Sequence, residues 1–355
     1  MKKSFQLLTA AIAAVIFCGC ANRTFMAISS AGNQSGGIYN ITADKKVIHT
    51  PLPRVNYMIK SPDGSFYVTQ NGTRTERNGN VVVMTKNNDG TMSIRQTVST
   101  NGITPCHLAL SPCGKFLYTA NYSSGNLSEF KIAEGKLLFP PRQLQHTGSS
   151  VTKRQSAPHP HFAGFNPASG ELFVCDLGTD DVVIYQLDRS GAKCVSKLKL
   201  PPGSGPRHLA FAPNGKTIYI ANELASTVSS FVNLNGKWEI VKTISSRPAK
   251  PSAPKNFPGA IKITSCGRYF FVTNRGDDTI AMFETLADGD FRLSKNVPAG
   301  GAYPSDIIFL DDEKILLTVN LKSNSVTRFR LDKAAVNLTP LPGMIPIPRG
   351  ISLCR

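Results

Sequence analysis

His161, Arg207, Glu223 and Arg275 supply an imidazole, two guanidiniums and a carboxylate to a chain of 355 residues. Brought together, such a set suits acyl chemistry on an anionic substrate. An imidazole or carboxylate can take a proton from water, and a guanidinium can hold a developing oxyanion or grip a phosphate or carboxylate with forked hydrogen bonds. The four residues are far apart in sequence, so whether they meet depends on the elements that carry them.

Those elements repeat. Thr104-Pro-Cys-His-Leu-Ala-Leu-Ser-Pro-Cys-Gly114, followed by 115–122 and by Gly125-Asn-Leu-Ser-Glu-Phe130, returns as Gly205-Pro-Arg-His-Leu-Ala-Phe-Ala-Pro-Asn-Gly215, 216–223 and Ser226-Thr-Val-Ser-Ser-Phe231. Further copies run over 159–185, 258–283, 303–329 and, more loosely, 55–84. Each holds two or three alternating apolar stretches separated by Pro-x-Gly or Ser-Gly turns, as a strand meander requires. A weaker fourth strand follows, such as 238–244. Four-stranded units at a period of about 50 residues are propeller blades.

Six copies are internal, and the ends share a seventh. Residues 348–352 match the first strand of a unit, while 24–30 and 37–41 match the second and third. The expected fold is therefore all-β: a seven-bladed β-propeller closed by pairing of the amino- and carboxy-terminal strands in one blade. Closure removes exposed sheet edges. No helix is expected in 21–355, which reads as one propeller domain. The long connections, 139–158 and 247–258, are of the kind that carry function.

Aligning the copies exposes two columns. The first, where the inner strand begins, holds Cys106, His161, Arg207, Gly259, Ser305 and Arg349; the second, where the next strand ends, holds Tyr122, Leu177, Glu223, Arg275 and Leu321. The two strands form an antiparallel hairpin, so both columns face one end of the central channel. His161, Arg207, Glu223 and Arg275 come from three consecutive blades and are expected side by side at that mouth as the catalytic set. His159, Asn121, Tyr122 and Arg349 are expected to bind substrate. The competing reading is structural, with Glu223 pairing Arg207 or Arg275 merely to close the channel.

Asn121, Asp176, Asn222, Asn274 and Asn320 fill a neighbouring column whose regularity suits turn support. Asp180, Asp181, Asp277 and Asp278 read as solvated turn residues. His107 and His208 should face away from the channel by strand alternation. His159 and His161 have no matched carboxylate or cysteine, so neither a metal nor another cofactor is expected.

At these residues the chain resembles the propeller-type lactonases, the family of the bacterial 6-phosphogluconolactonase and the fungal carboxymuconate lactonizing enzyme. The resemblance rests on Pro105-Cys-His with Ala120-Asn-Tyr, Arg154-Gln followed by Pro158-His-Pro-His, Asp176-Leu-Gly, Gly205-Pro-Arg-His, Asn222-Glu-Leu and Asn274-Arg-Gly, in order across 104–283. It implies an active-site histidine among His159 and His161, two arginines at Arg207 and Arg275, and a glutamate at Glu223. Cys113 and Cys266 stand in hairpin turns where the family usually has aspartate.

The amino terminus reads as an export signal over 1–20: Lys2 and Lys3, the apolar run 7–17, then small residues before Cys20. The run is too short for a membrane span. Phe17-Cys-Gly-Cys20 resembles a bacterial lipoprotein processing site, so the expected location is the periplasm or a membrane held through lipidated Cys20; an ordinary cleaved signal and a cytoplasmic location are the alternatives. Cys106, Cys113, Cys175, Cys194, Cys266 and Cys354 show no paired spacing and read as mostly free thiols. The formal charge of +17 attracts anions. No basic run with interleaved aromatics accompanies it, so nucleic acid is not the expected partner.

The leading expectation is a monomeric, metal-free hydrolase of a small anionic lactone of the 6-phospho-D-glucono-1,5-lactone type. Two alternatives stand beside it: a lactone-forming cycloisomerase of the carboxymuconate type, and a non-catalytic envelope scaffold or ligand binder.

Overall fold

A computed structural model describes residues 24–334 and 337–355. The segment 1–20 expected to be a signal, with Cys20, lies outside the described residues.

Seven antiparallel sheets surround a channel. The innermost strands are, in chain order, Val55–Lys60, Pro105–Leu110, Pro160–Phe165, Pro206–Phe211, Phe257–Ile263, Pro304–Leu310 and Gly350–Cys354, and they define blades 1 to 7. Blade 4 is representative: Pro206–Phe211, Thr217–Asn222, Thr227–Leu234 and Lys237–Ser245 pair in sequence order. Its second strand is buried along its whole length, as a strand between two neighbouring blades must be, whereas the outermost is largely exposed. In blade 2 the third strand, Asn126–Ala133, carries two short partners, Lys136–Leu137 and Arg142–Gln145.

Apolar residues from adjacent blades interleave between the sheets. Between blades 4 and 5, Tyr219 stacks on Phe270 at 4.4 Å and Phe270 on Phe283 at 4.7 Å. The ring closes as the repeat requires: Gly350–Cys354 pairs antiparallel with Phe25–Ser29, joining Met26 to Cys354, Ile28 to Ser352 and Ser29 to Gly350. Helical turns among the described residues are the short 3-10 turns Lys153–Gln155 and Ala287–Gly289. Cys106, Cys113, Cys175, Cys194, Cys266 and Cys354 are free thiols.

Each inner strand departs from regular pairing at the same place. In blade 2 Pro105 pairs with Asn121 and His107 with Ala120, leaving Cys106 as an extra residue. The same bulge falls on Asn56, His161, Arg207 and Ser305, and on two residues, Gly259 and Ala260, in blade 5. A bulge bends its strand and re-aims a side chain.

The blades are also stapled along the same rim. Asp180, Asp278 and Asn324 occupy left-handed backbone, with φ of 57°, 53° and 51°. Their side-chain oxygens accept the backbone N–H of Gly205, Tyr303 and Arg349 at 2.7–2.8 Å. The donors are the residues that lead into the next inner strand, so one short polar side chain fixes the entry of the following blade. This corrects the reading of Asp180, Asp181, Asp277 and Asp278 as solvated. Asp180, Asp181 and Asp277 are buried, and Asp277 accepts from Arg247, Ser252 and Ala253 to pin the 247–258 connection.

The staple relocates Arg349 as well. Its φ of 44° and its hydrogen bond from Ser30 N to its carbonyl match the positions of Thr104 and Gly205, just ahead of their strands. The bulged residue of blade 7 is Ile351, because Ser29 pairs with Gly350 and Ile28 with Ser352. Arg349 is exposed.

Candidate active site

The bulges and the ends of the second strands converge on one mouth of the channel, where a cavity of about 500 Å³ opens. Every blade contributes, through residues that include Asn56, Cys106, His161, Arg207, Arg275, Ser305 and Ile351. All four residues of the expected catalytic set line this cavity, and Tyr122 lines it with them.

Glu223 is the hub. Its backbone N–H donates to Gly205 O at 2.7 Å, which holds it beside the start of its own inner strand. Arg154 Nη1 donates to Oε1 at 2.7 Å, Arg275 Nη2 to Oε2 at 2.5 Å, and Arg207 Nε lies 3.1 Å from Oε2. Glu223, Arg207 and Arg275 are each less than a tenth exposed. Burial works against the Glu223 carboxylate, but the charges of Arg275, Arg207 and Arg154 outweigh it and hold the pKa well below the usual carboxylate range. Glu223 is therefore ionised and a weak proton acceptor.

The arginines differ in how far they are committed. Arg275 Nε donates to Phe257 O at 2.9 Å and Nη2 also to Pro258 O at 3.1 Å, while its guanidinium lies 5.3 Å from the centre of the Tyr303 ring. Gly259 makes room for it: a Cβ there would stand 2.5 Å from Thr273 Oγ1 and 3.3 Å from Arg275 Nε. Arg207 Nη1 donates to His208 Nε2 at 3.1 Å, yet its buried Nε makes no hydrogen bond. Burial and then the neighbouring Arg275 charge push its pKa down to about 10, with Glu223 opposing them.

His161 sits across from these groups, its ring 5.4 Å from that of His208 and 5.6 Å from that of Tyr122. Burial first, and the Arg207 charge second, hold its pKa well below the ordinary imidazole value. The ring is neutral at pH 7, and its buried Nδ1 has no hydrogen-bond partner. Buried polar atoms are nearly always satisfied. His161 Nδ1, Arg207 Nε and Ser352 Oγ are all unsatisfied, and all three residues line this one cavity. Three side chains of the cavity lining thus carry unpaired polar atoms.

His159 stands behind the site. Its ring stacks on Tyr122 at 4.4 Å and Nδ1 donates to Tyr122 O at 2.8 Å, so it supports the cavity wall without lining it. Asn121 is also displaced from the expected substrate-binding role. It is fully buried, donates to Ser128 Oγ at 2.8 Å, and packs against Gly102, where a Cβ has no room. Arg349 is absent from the lining for the reason given above. The alternation expected for His208 fails at the bulge, which offsets Arg207 and His208 from their partners and leaves His208 in the cavity wall, accepting from Arg207. His107, behind the same bulge, faces the channel too, its ring 4.1 Å from that of Tyr57 and 5.2 Å from that of His208, so the expectation that it faces away also fails.

Arg154 is a charged site residue that column alignment missed, as it missed Asn56, Asp306 and Ser352 in the same lining. It lies in the long connection between blades 2 and 3, outside any repeat copy, and only its place in Arg154-Gln155 ahead of the paired histidines drew attention to it. No group of three His, Cys, Asp or Glu side chains suited to holding a metal occurs among the described residues.

The chain is similar to known proteins over nearly its whole length. The family model described as "Lactonase, 7-bladed beta-propeller" matches residues 24–354. The 6-phosphogluconolactonase of Bacillus subtilis is 30% identical over 328 residues, covering 88% of this chain and 93% of that protein. That of Formosa agariphila is 28% identical over 309 residues, 84% and 87% of the two chains. The solved structure of the periplasmic gluconolactonase of Pseudomonas aeruginosa superposes with a TM-score of 0.85 at 25% identity, covering 93% of this chain and 98% of the other.

Proposed function

The chain belongs to the seven-bladed β-propeller lactonase family, and from that premise we propose that it hydrolyses an anionic sugar lactone, 6-phospho-D-glucono-1,5-lactone or a close relative, without a metal. The observation that carries this reading is the pair of unsatisfied atoms, His161 Nδ1 and Arg207 Nε, in the wall of one arginine-rich cavity.

Neutral His161 takes a proton from water as the water oxygen attacks the lactone carbonyl. The carbonyl oxygen becomes an oxyanion, which Arg207 holds with a charge-assisted hydrogen bond. Collapse of the tetrahedral adduct breaks the acyl–oxygen bond, and the imidazolium returns its proton to the departing ring oxygen. The product is the open hydroxy acid, whose carboxyl proton passes to solvent near neutral pH. Glu223 does not serve as the base in this scheme. It neutralises part of the arginine charge and keeps the guanidiniums in register.

The arginine excess supports an anionic substrate, as do the relatives named 6-phosphogluconolactonase. The leader-like segment before Cys20 supports action outside the cytoplasm, in keeping with the periplasmic gluconolactonase of P. aeruginosa. Proton release from a panel of lactones, measured in a pH-stat with the purified propeller, tests the activity. Hydrolysis above the spontaneous rate is expected for sugar lactones, and none on any member would favour a ligand-binding scaffold. Cell fractionation with palmitate labelling tests the location and the anchor.

A further inference from the structure

Arg154 is unexplained by the hydrolytic scheme. We propose that it reads the negatively charged substituent of the substrate, and so sets a preference for phosphorylated or carboxylated lactones over neutral ones; this rests on the lactonase reading above.

The other two guanidiniums are poorly placed for that task. Arg275 is committed to Glu223 and to two backbone carbonyls, and Arg207 is buried deep beside His208. Arg154 differs in being at the opening. Its side chain keeps 45% of its surface exposed while one end of the fork rests on Glu223 and the other donates to Tyr122 Oη at 3.1 Å. A lactone with its carbonyl against His161 and Arg207 can extend an exocyclic anion towards this mouth.

The presentation of Arg154 is built into the loop. The next residue, Gln155, is fully buried, and its Nε2 donates to Leu177 O at 2.9 Å and Asp180 Oδ1 at 2.8 Å. Ser150 N donates to Gln155 O at 2.8 Å, and Ser150 Oγ to Asp180 Oδ2 at 2.5 Å. Asp180 is the residue that also staples blade 4 in place, so the loop and Arg207 share one anchor. On its other side Tyr122 is braced by His159. The charge balance adds a separate argument: three guanidiniums surround one carboxylate, and a bound anion offsets the surplus.

The test compares wild type, Arg154→Gln and Arg154→Lys on D-glucono-1,5-lactone and its 6-phosphate by proton release, and on binding of gluconate and 6-phosphogluconate by calorimetry. Arg154→Gln should lose about thirtyfold in kcat/KM on the phosphorylated lactone and several-fold less on the neutral one. Affinity for 6-phosphogluconate should fall in parallel. Arg154→Lys should recover part of the preference and covers the case in which the glutamine variant does not fold. Equal losses on both lactones would overturn the proposal, since Arg154 would then act only through Glu223. If wild type hydrolyses neither lactone, the hydrolytic reading fails on its own and the binding arm still decides. Wild type binding 6-phosphogluconate no tighter than gluconate, or Arg154→Gln binding it as tightly as wild type, would also overturn the proposal.

Discussion

Arg207 Nε lies 3.1 Å from Glu223 Oε2 without a hydrogen bond between them, although both groups are buried. Attraction holds the guanidinium in place while its Nε stays unpaired. The same carboxylate receives Arg154 and Arg275. Glu223 is thus the counter-charge around which the site is organised, and the base we propose is the neutral ring of His161.

Replacing Glu223 separates these roles by stability. Glu223→Gln leaves three arginines without their shared carboxylate, and unfolding free energy should fall by about 3–5 kcal/mol at pH 7, read from chemical denaturation. The sign of the pH dependence follows from the depressed folded pKa. Stabilisation by Glu223 is fully present above the ordinary value of 4.5 and is lost as pH falls toward the lower folded value. The stability gap between wild type and variant should be constant at pH 6–8 and narrow below about pH 4. A gap that widens in acid would contradict the assignment.

The pH–rate profile reports on His161. The base must be neutral, and burial with the Arg207 charge holds its pKa well below 6.5. With a lactone that hydrolyses slowly by itself, kcat/KM should stay level from pH 7 to below 6.5 and decline only at lower pH. A bend at the ordinary imidazole value would mean that His161 is more exposed to solvent than its surroundings indicate.

Gly259→Ala probes the packing of Arg275. The new methyl group meets Thr273 Oγ1 and crowds Arg275 Nε, so the guanidinium must shift from Glu223. Activity should fall by about tenfold or more, since misplacement of a site residue by a fraction of an ångström is enough. Activity equal to wild type would show that Arg275 tolerates displacement.

Ring closure separates two adjacent parts of the carboxy terminus. Truncation before Gly350 removes the inner strand of blade 7 and uncovers Phe25–Ser29, which should cause aggregation or abolish the cooperative melt. Arg349→Asn, which keeps a residue that tolerates left-handed backbone, should leave lactonase activity within about twofold. A large loss on that substitution would return Arg349 to the site.

The fold was legible because each blade repeats the same alternation and turn residues, down to the sharing of one blade by the two termini. Much of the site followed from it, since Glu223 and Arg275 occupy strand ends that the repeat aligns. Three features were hidden for physical reasons. A bulge is one unpaired residue with no sequence signature of its own, so the faces of His107 and His208 were misread from alternation and Arg349 was placed in the column that Ile351 occupies. Asp180 and Asp278 look like turn residues because they are turn residues, and only the approach of the next blade makes them staples. Arg154 belongs to no repeat and reaches the mouth through a connection whose path depends on Gln155 and Asp180.

The most direct measurement is the pH-stat rate of 6-phospho-D-glucono-1,5-lactone hydrolysis by wild type and by His161→Asn, each corrected for the spontaneous reaction and each shown to be folded by its melting curve. Wild type should catalyse the reaction and the variant should lose at least about a hundredfold, with melting temperatures that agree within a few degrees. Equal rates in the two folded proteins would contradict His161 as the base.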